Sequence, residues 1–258
     1  MKLYREDTGG DAPPLLLIAG LASDAVSWVL QQESLSARHR LLICDNRGMA
    51  RSPGSDGPFS IADMAGDIVE LLDDLEIERV HLVGHSMGGA VAQHLAITFP
   101  DRVDRLILAC TFSRLGGRSL PVIESWARVL QLGADSETLG CCLFPWLYTE
   151  AFLATPGTLD ACQRALAAHP YRLDADVVTQ QVAALRGFDS THLLHRISAP
   201  TLVLAAEQDL LVSADSSREL AEAIPGARLQ TLPGTGHSCM LETPDLFNRA
   251  VLAFTATE

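Results

Sequence analysis

A chain of 258 residues, 48% of them hydrophobic, is long enough for one large buried core, and no apolar run reaches the roughly 18 residues a membrane-spanning helix needs. The formal net charge of −13 disfavours nucleic acid and anionic membranes as partners, and Met1-Lys2-Leu3-Tyr4-Arg5-Glu6-Asp7 lacks the basic start and apolar centre of a secretion signal, so a soluble cytoplasmic protein is expected. Six cysteines (Cys44, Cys110, Cys141, Cys142, Cys162 and Cys239) show neither a C-x-x-C pair nor zinc-site spacing, so free thiols and no metal are expected.

In chain order, Leu15-Leu16-Leu17-Ile18 reads as a buried strand, ending at Ala19-Gly20-Leu21-Ala22 and followed by a helix-like stretch with Trp28. Leu41-Leu42-Ile43-Cys44 is a second short strand, leading into Asp45-Asn46-Arg47-Gly48 and a polar loop from Ser52 to Pro58. Ile61, Met64, Ala65, Ile68, Leu71, Leu72 and Leu75 then fall at helical spacing, with Asp63, Asp67, Glu70, Asp73 and Asp74 off the stripe. Ser60 with Asp63 resembles a capping box at the start of that helix.

Val80 to Val83 is the next strand and Met87 to Phe99 the next helix, stopped by Pro100, with Val103 to Cys110 a further strand. Strands that are apolar throughout and alternate with helices point to a parallel sheet covered on both faces. From Ser113 to Ile197 the pattern is helical only, for example Pro121 to Leu132 and Leu159 to Ala168, and much of the aromatic content lies there. This predicts a helical cap, 113–197, inserted in a core made of 1–112 and 198–258. Trp126, Phe144 and Trp146 are candidates for the lining of a substrate pocket beneath it. The alternation resumes with a strand at Thr201 to Ala205, a helix at Ser216 to Ile224, a strand at Arg228 to Leu232 and a closing helix from about Pro244 to Phe254.

The chemistry centres on Gly84-His85-Ser86-Met87-Gly88-Gly89, a G-x-S-x-G between strand and helix. A serine in so tight a turn has a strained backbone, and small residues on either side let the chain pass. The turn also puts the hydroxyl at a helix N-terminus, where free N–H groups favour developing negative charge. A serine hydroxyl needs a base, usually histidine, and the histidine needs a carboxylate to hold its tautomer. Of the eight histidines, His237 alone sits in a glycine-rich loop after a late strand, while His85 is expected to support the turn. Asp209 follows the strand at 201–205 and is preferred as the acid over Asp215, Glu207 and Asp45. The backbone N–H groups of Met87 and Leu21 are the expected oxyanion donors. Arg47, Arg51, Arg114 and Arg118 are the basic residues at hand to line a pocket.

These pieces together (Gly20 with Trp28, Asp45-Asn46-Arg47-Gly48 with Ser52, the turn at 84–89, Asp209, and Gly236-His237 with Glu242-Thr243-Pro244) resemble the α/β-hydrolase fold superfamily from end to end. The order Ser, Asp, His is that superfamily's order. Asp-Asn-Arg-Gly and Ser-Met-Gly-Gly are most similar to its carboxylesterase and 3-oxoadipate enol-lactonase-like branch. The resemblance implies a mostly parallel central sheet flanked by helices, with an inserted helical cap. It also implies a cofactor-free serine hydrolase acting on a small-molecule ester or lactone. Alternatives on the same residues are a carbon–carbon bond hydrolase, a perhydrolase, or a non-catalytic ligand-binding protein. Two departures stand out: the family's common His-Gly at the oxyanion loop is Ala19-Gly20, and its Gly-x-Gly after the arginine is Gly48-Met49-Ala50.

Overall fold

A computed structural model describes residues 1–55 and 57–256. Among them, seven strands form one sheet in the order β1-β3-β2-β4-β5-β6-β7. Their bounds are β1 Arg5–Asp7, β2 Pro14–Ile18, β3 Arg40–Cys44, β4 Val80–His85, β5 Val103–Ala109, β6 Thr201–Ala206 and β7 Arg228–Leu232. All neighbours pair in parallel except β1, which runs antiparallel to β3. The helices are α1 Gln32–Ser36, α2 Ile61–Asp74, α3 Met87–Thr98, α4 Ser119–Gln131, α5 Ser136–Leu147, α6 Glu150–Leu153, α7 Thr158–Ala167, α8 Ala175–Arg186, α9 Ala214–Ala223, α10 Cys239–Glu242 and α11 Pro244–Thr255. No helix among the described residues is long and apolar enough to cross a membrane.

The apolar strands are buried on both faces because their alternate residues enter two different cores. Leu16 and Ile18 of β2, Leu42 and Cys44 of β3, and Leu82 of β4 join the core under α2 and α3. Leu15, Leu17, Leu41, Ile43 and Val83 join the opposite core, built around Trp28, Phe247 and Val251. The edges differ. β1 is wholly polar and was not anticipated from the sequence, and β7 is exposed except at Leu232. An edge strand is half-covered, so it carries little of the apolar signature that marks the centre.

Helix α2 shows the stripe and the start its sequence predicts. Ser60 Oγ accepts from Asp63 N, and the Asp63 carboxylate accepts from Ser60 N. Asp67, off the apolar stripe, is nevertheless buried, and its carboxylate accepts from Arg47 Nε at 2.6 Å. A carboxylate taken out of water needs such a partner.

The strand order positions the site. The chain steps from β2 outward to β3, then crosses back to place β4 on the other side of β2. At this reversal the loops after β2 and β4 part above the carboxyl ends of the strands, and open α/β sheets bind ligands in such a crevice. Between β5 and β6 the chain leaves the sheet for α4 to α8, closed at its root by a bridge between Arg114 and Asp189.

Candidate active site

Ser86 lies between the last residue of β4 and the first of α3, with φ 52° and ψ −116°. Such backbone costs a non-glycine residue about 1–3 kcal/mol and persists only where its surroundings enforce it. Here two glycines allow it. A Cβ on Gly84 would come 2.4 Å from the Gly88 carbonyl oxygen, and one on Gly88 would come 2.1 Å from that of Ile18. Hydrogen bonds fix the rest: Ser86 N donates to Ala109 O at 3.0 Å, and Thr111 Oγ1 donates to Ser86 O at 2.7 Å. The Ser86 hydroxyl itself makes no hydrogen bond among the described residues, although only 7% of the residue is exposed.

Asp209 and His237 follow β6 and β7 at the same end of the sheet. His237 Nδ1 lies 2.7 Å from Asp209 Oδ2, both side chains being almost fully buried. The other Asp209 oxygen accepts from the backbone N–H groups of Leu211 and Val212, each at 2.8 Å. A carboxylate so bound can only accept, so Nδ1 is the nitrogen that donates to it. The competing acids are committed elsewhere. Glu207 accepts from Gly234 N, Asp45 pairs with Arg51, and Asp215 pairs with Arg218.

His85 couples the two halves of the site. Its Nε2–H donates to the His237 carbonyl at 2.9 Å, and the two rings sit 4.9 Å apart. Burial, followed by the neighbouring His237, pushes His85 down to about 3, so it stays neutral and supports the histidine loop, as its place in the sequence suggests.

The loop after β2 passes over the serine: a Cβ on Gly20 would lie 3.2 Å from His85 Nδ1 and 3.3 Å from Ser86 Cβ. Leu21 N and Met87 N donate to no group among the described residues. Two side chains hold this loop. Asn46 Nδ2 donates to Ala19 O at 3.0 Å, and Gln181 Oε1 accepts from Ala22 N at 3.0 Å. Neither was foreseen, because Gln181 is 159 positions from its partner and carries no local motif.

The helices between β5 and β6 bind both loops. Leu147 O accepts from Ser238 N at 2.8 Å. Glu242 accepts from Gly236 N at 2.9 Å and from the Thr149 hydroxyl, and His169 Nε2 lies 3.3 Å from Asp24 Oδ2. Of the predicted pocket residues, Trp126 is buried, with its Nε1 donating to Cys142 O. Phe144 packs on Tyr148, and Trp146 is half-buried against the main core. Of the arginines, Arg47 and Arg51 are spent on Asp67, Asp45 and Glu6 at the base of the loop, and Arg114 and Arg118 are exposed. Surface hollows of about 420 and 440 Å³ lie along β1 and beside the start of α2's last turns, away from Ser86.

One cluster could offer ligands to a metal: His85, Cys110 and Cys239, whose donor atoms lie within 4.8 Å of one another. Sequence spacing hid it, since the three residues meet only in the fold. The Cys110 thiol is hydrogen-bonded to Cys239 at 3.5 Å, which together with burial pushes it well up and keeps it protonated. A protonated thiol is a poor ligand, so the trio is better suited to packing behind the His237 loop.

The Alpha/beta hydrolase family profile matches residues 15–250. The chain is 34% identical to RutD, a proposed carbamate hydrolase, of Caulobacter sp. (strain K31), over 99% of this chain and 96% of that protein. Among solved structures it is similar to the enol-lactonase of Burkholderia xenovorans LB400, with 30% identity, 98% of this chain and 95% of that one covered, and a TM-score of 0.88. It is likewise similar to a thermophilic esterase of Thermogutta terrifontis, with 28% identity, coverage of 98% and 92%, and a TM-score of 0.85. The chain belongs to the α/β hydrolase family and is a hydrolase.

Proposed function

We propose that this hydrolase is a serine enzyme that cleaves a small carboxylic ester or lactone through an acyl-enzyme on Ser86. The observation that carries the reading is the strained Ser86, caged by Gly84 and Gly88 at the same end of the sheet as a 2.7 Å His237–Asp209 pair. Ser86 Oγ attacks the carbonyl carbon while His237 Nε2 takes its proton. Asp209 keeps the other imidazole proton on Nδ1 and stabilises the imidazolium that forms. The carbonyl oxygen becomes an oxyanion, received by the free N–H groups of Leu21 and Met87, the second at the positive end of α3. His237 returns its proton to the leaving oxygen, and water, activated by the same nitrogen, releases the acid. Each step uses groups of this chain, so the reading calls for no cofactor. In it, residues 113–197 act as a cap whose hydrogen bonds to the loops after β2 and β7 hold the donors and the base in place, and whose aromatic residues, Trp126, Phe144 and Trp146 among them, shape the substrate space.

A second reading exchanges the acyl group for a carbamoyl group. It is favoured by the 34% identity to RutD, a proposed carbamate hydrolase, and uses the same attack, the same oxyanion donors and a carbamoyl-enzyme. A panel of short esters, lactones and carbamates, assayed beside Ser86→Ala, separates the two. Turnover of esters or lactones that vanishes in Ser86→Ala supports the first. Turnover confined to carbamates supports the second. Activity that survives in Ser86→Ala overturns both.

A further inference from the structure

Gln181 lies on α8, whose side chains press on the loops of the sheet: Val177 of the same helix fills the space where a Cβ on Gly48 would sit. Gln181 is fully buried, and its two amide atoms have different fates. Oε1 accepts from Ala22 N, one residue beyond the proposed oxyanion donor Leu21, and Nε2 has no partner among the described residues. Buried polar atoms are almost always paired, and a donor left unpaired costs stability. The side chain therefore keeps its position at a cost, bonded through its oxygen alone. Ala22 stands at φ 55°, a left-handed conformation that an alanine does not hold unaided. Its bond to Gln181 is therefore part of what sets the direction of the Leu21 N–H.

We propose that Gln181 is a positioning residue for the oxyanion loop: reaching from α8, it holds Ala22, and with it the Leu21 N–H, in the direction an oxyanion would need. This rests on the acyl-transfer reading of the site.

Gln181→Met tests this, since it keeps the bulk and loses the acceptor for Ala22 N–H. It is expected to lower kcat by about tenfold or more with KM changed less than about threefold, because a displaced oxyanion donor weakens the transition state selectively. Amide hydrogen exchange at Ala22 should speed up by about tenfold in Gln181→Met, while exchange in the central strands stays as slow as in the parent. A Gln181→Met enzyme with unchanged kcat and unchanged Ala22 exchange overturns the positioning role. Should the parent protein turn over no acyl substrate while Ala22 loses protection in Gln181→Met, the hydrolytic reading falls and the contact stands. Should the parent turn over and Gln181→Met match it throughout, the inference about Gln181 falls alone.

Discussion

The turn at Ser86 and the helical segment between β5 and β6 are built on opposite principles. At the turn, a handful of adjacent residues dictate the geometry, because Gly84 and Gly88 are the only residue type that leaves room for the crossing backbones. In the helical segment, position is set by distant contacts: Gln181 to Ala22, Leu147 to Ser238, Thr149 to Glu242. The first kind of structure is specified by sterics and tolerates almost no change. The second is specified by burial and a few hydrogen bonds, and away from those bonds its side chains can be exchanged for others of similar volume. On the proposed reading, the chemistry sits on the rigid part and the choice of substrate on the adaptable part.

Substitutions on the two sides should differ accordingly. The largest effect is expected from Asp209→Asn, which keeps the shape of the pair with His237 but favours the wrong imidazole tautomer, with kcat falling about 10⁴-fold while thermal stability changes little. Steady-state kinetics beside a melting curve check it, and a loss below about tenfold would break the assignment of Asp209. Next comes Gly88→Ala, whose Cβ would lie 2.1 Å from the Ile18 carbonyl oxygen. It should destabilise the fold by more than about 3 kcal/mol, read by denaturant unfolding.

The histidine under the turn gives a pH test. Burial holds His85 at about 3 in the folded protein, against about 6.5 when unfolded. Its folded pKa is depressed, so its contribution to stability is complete above pH 6.5 and is lost as pH falls from there toward 3, when the unfolded chain takes up a proton that the folded chain refuses. His85→Gln, which can still donate to the His237 carbonyl, should flatten the unfolding free energy over that range by a few kcal/mol, to order of magnitude. The smallest effect is expected in the helical segment away from its contacts with the loops. Trp126→Phe removes one hydrogen bond to Cys142 O and part of a ring, costing about 1–2 kcal/mol with kcat changed less than about threefold. A large loss of kcat there would erase the contrast between the two regions.

The same contrast governs what could be read in the sequence. Ser86 and Asp209 stood out as candidates because each follows an apolar strand, and His237 because it sits in the glycine-rich loop after a late strand. Helix α2 was legible for similar reasons, from its stripe and its Ser60–Asp63 start. Strand β1, Arg5-Glu6-Asp7, left no apolar trace, since an edge strand exposes its side chains. The burial of Asp67 was not legible, because nothing local announces that Arg47 will cover it. Gln181 and the His85–Cys110–Cys239 cluster join residues far apart in the chain, and no periodicity encodes such meetings. The missing histidine of the oxyanion loop also resolves only in space, where Asn46 and Gln181 hold that loop. The Gly-x-Gly departure takes the form of Ala50 at φ 43°, a left-handed position that alanine occupies at a cost.

The account turns on Ser86 being the nucleophile, and covalent labelling tests that most directly. A fluorophosphonate probe, followed by peptide mapping, should modify the parent protein once, at Ser86, and leave Ser86→Ala unmodified. Labelling of another residue, or equal labelling of Ser86→Ala, would contradict it.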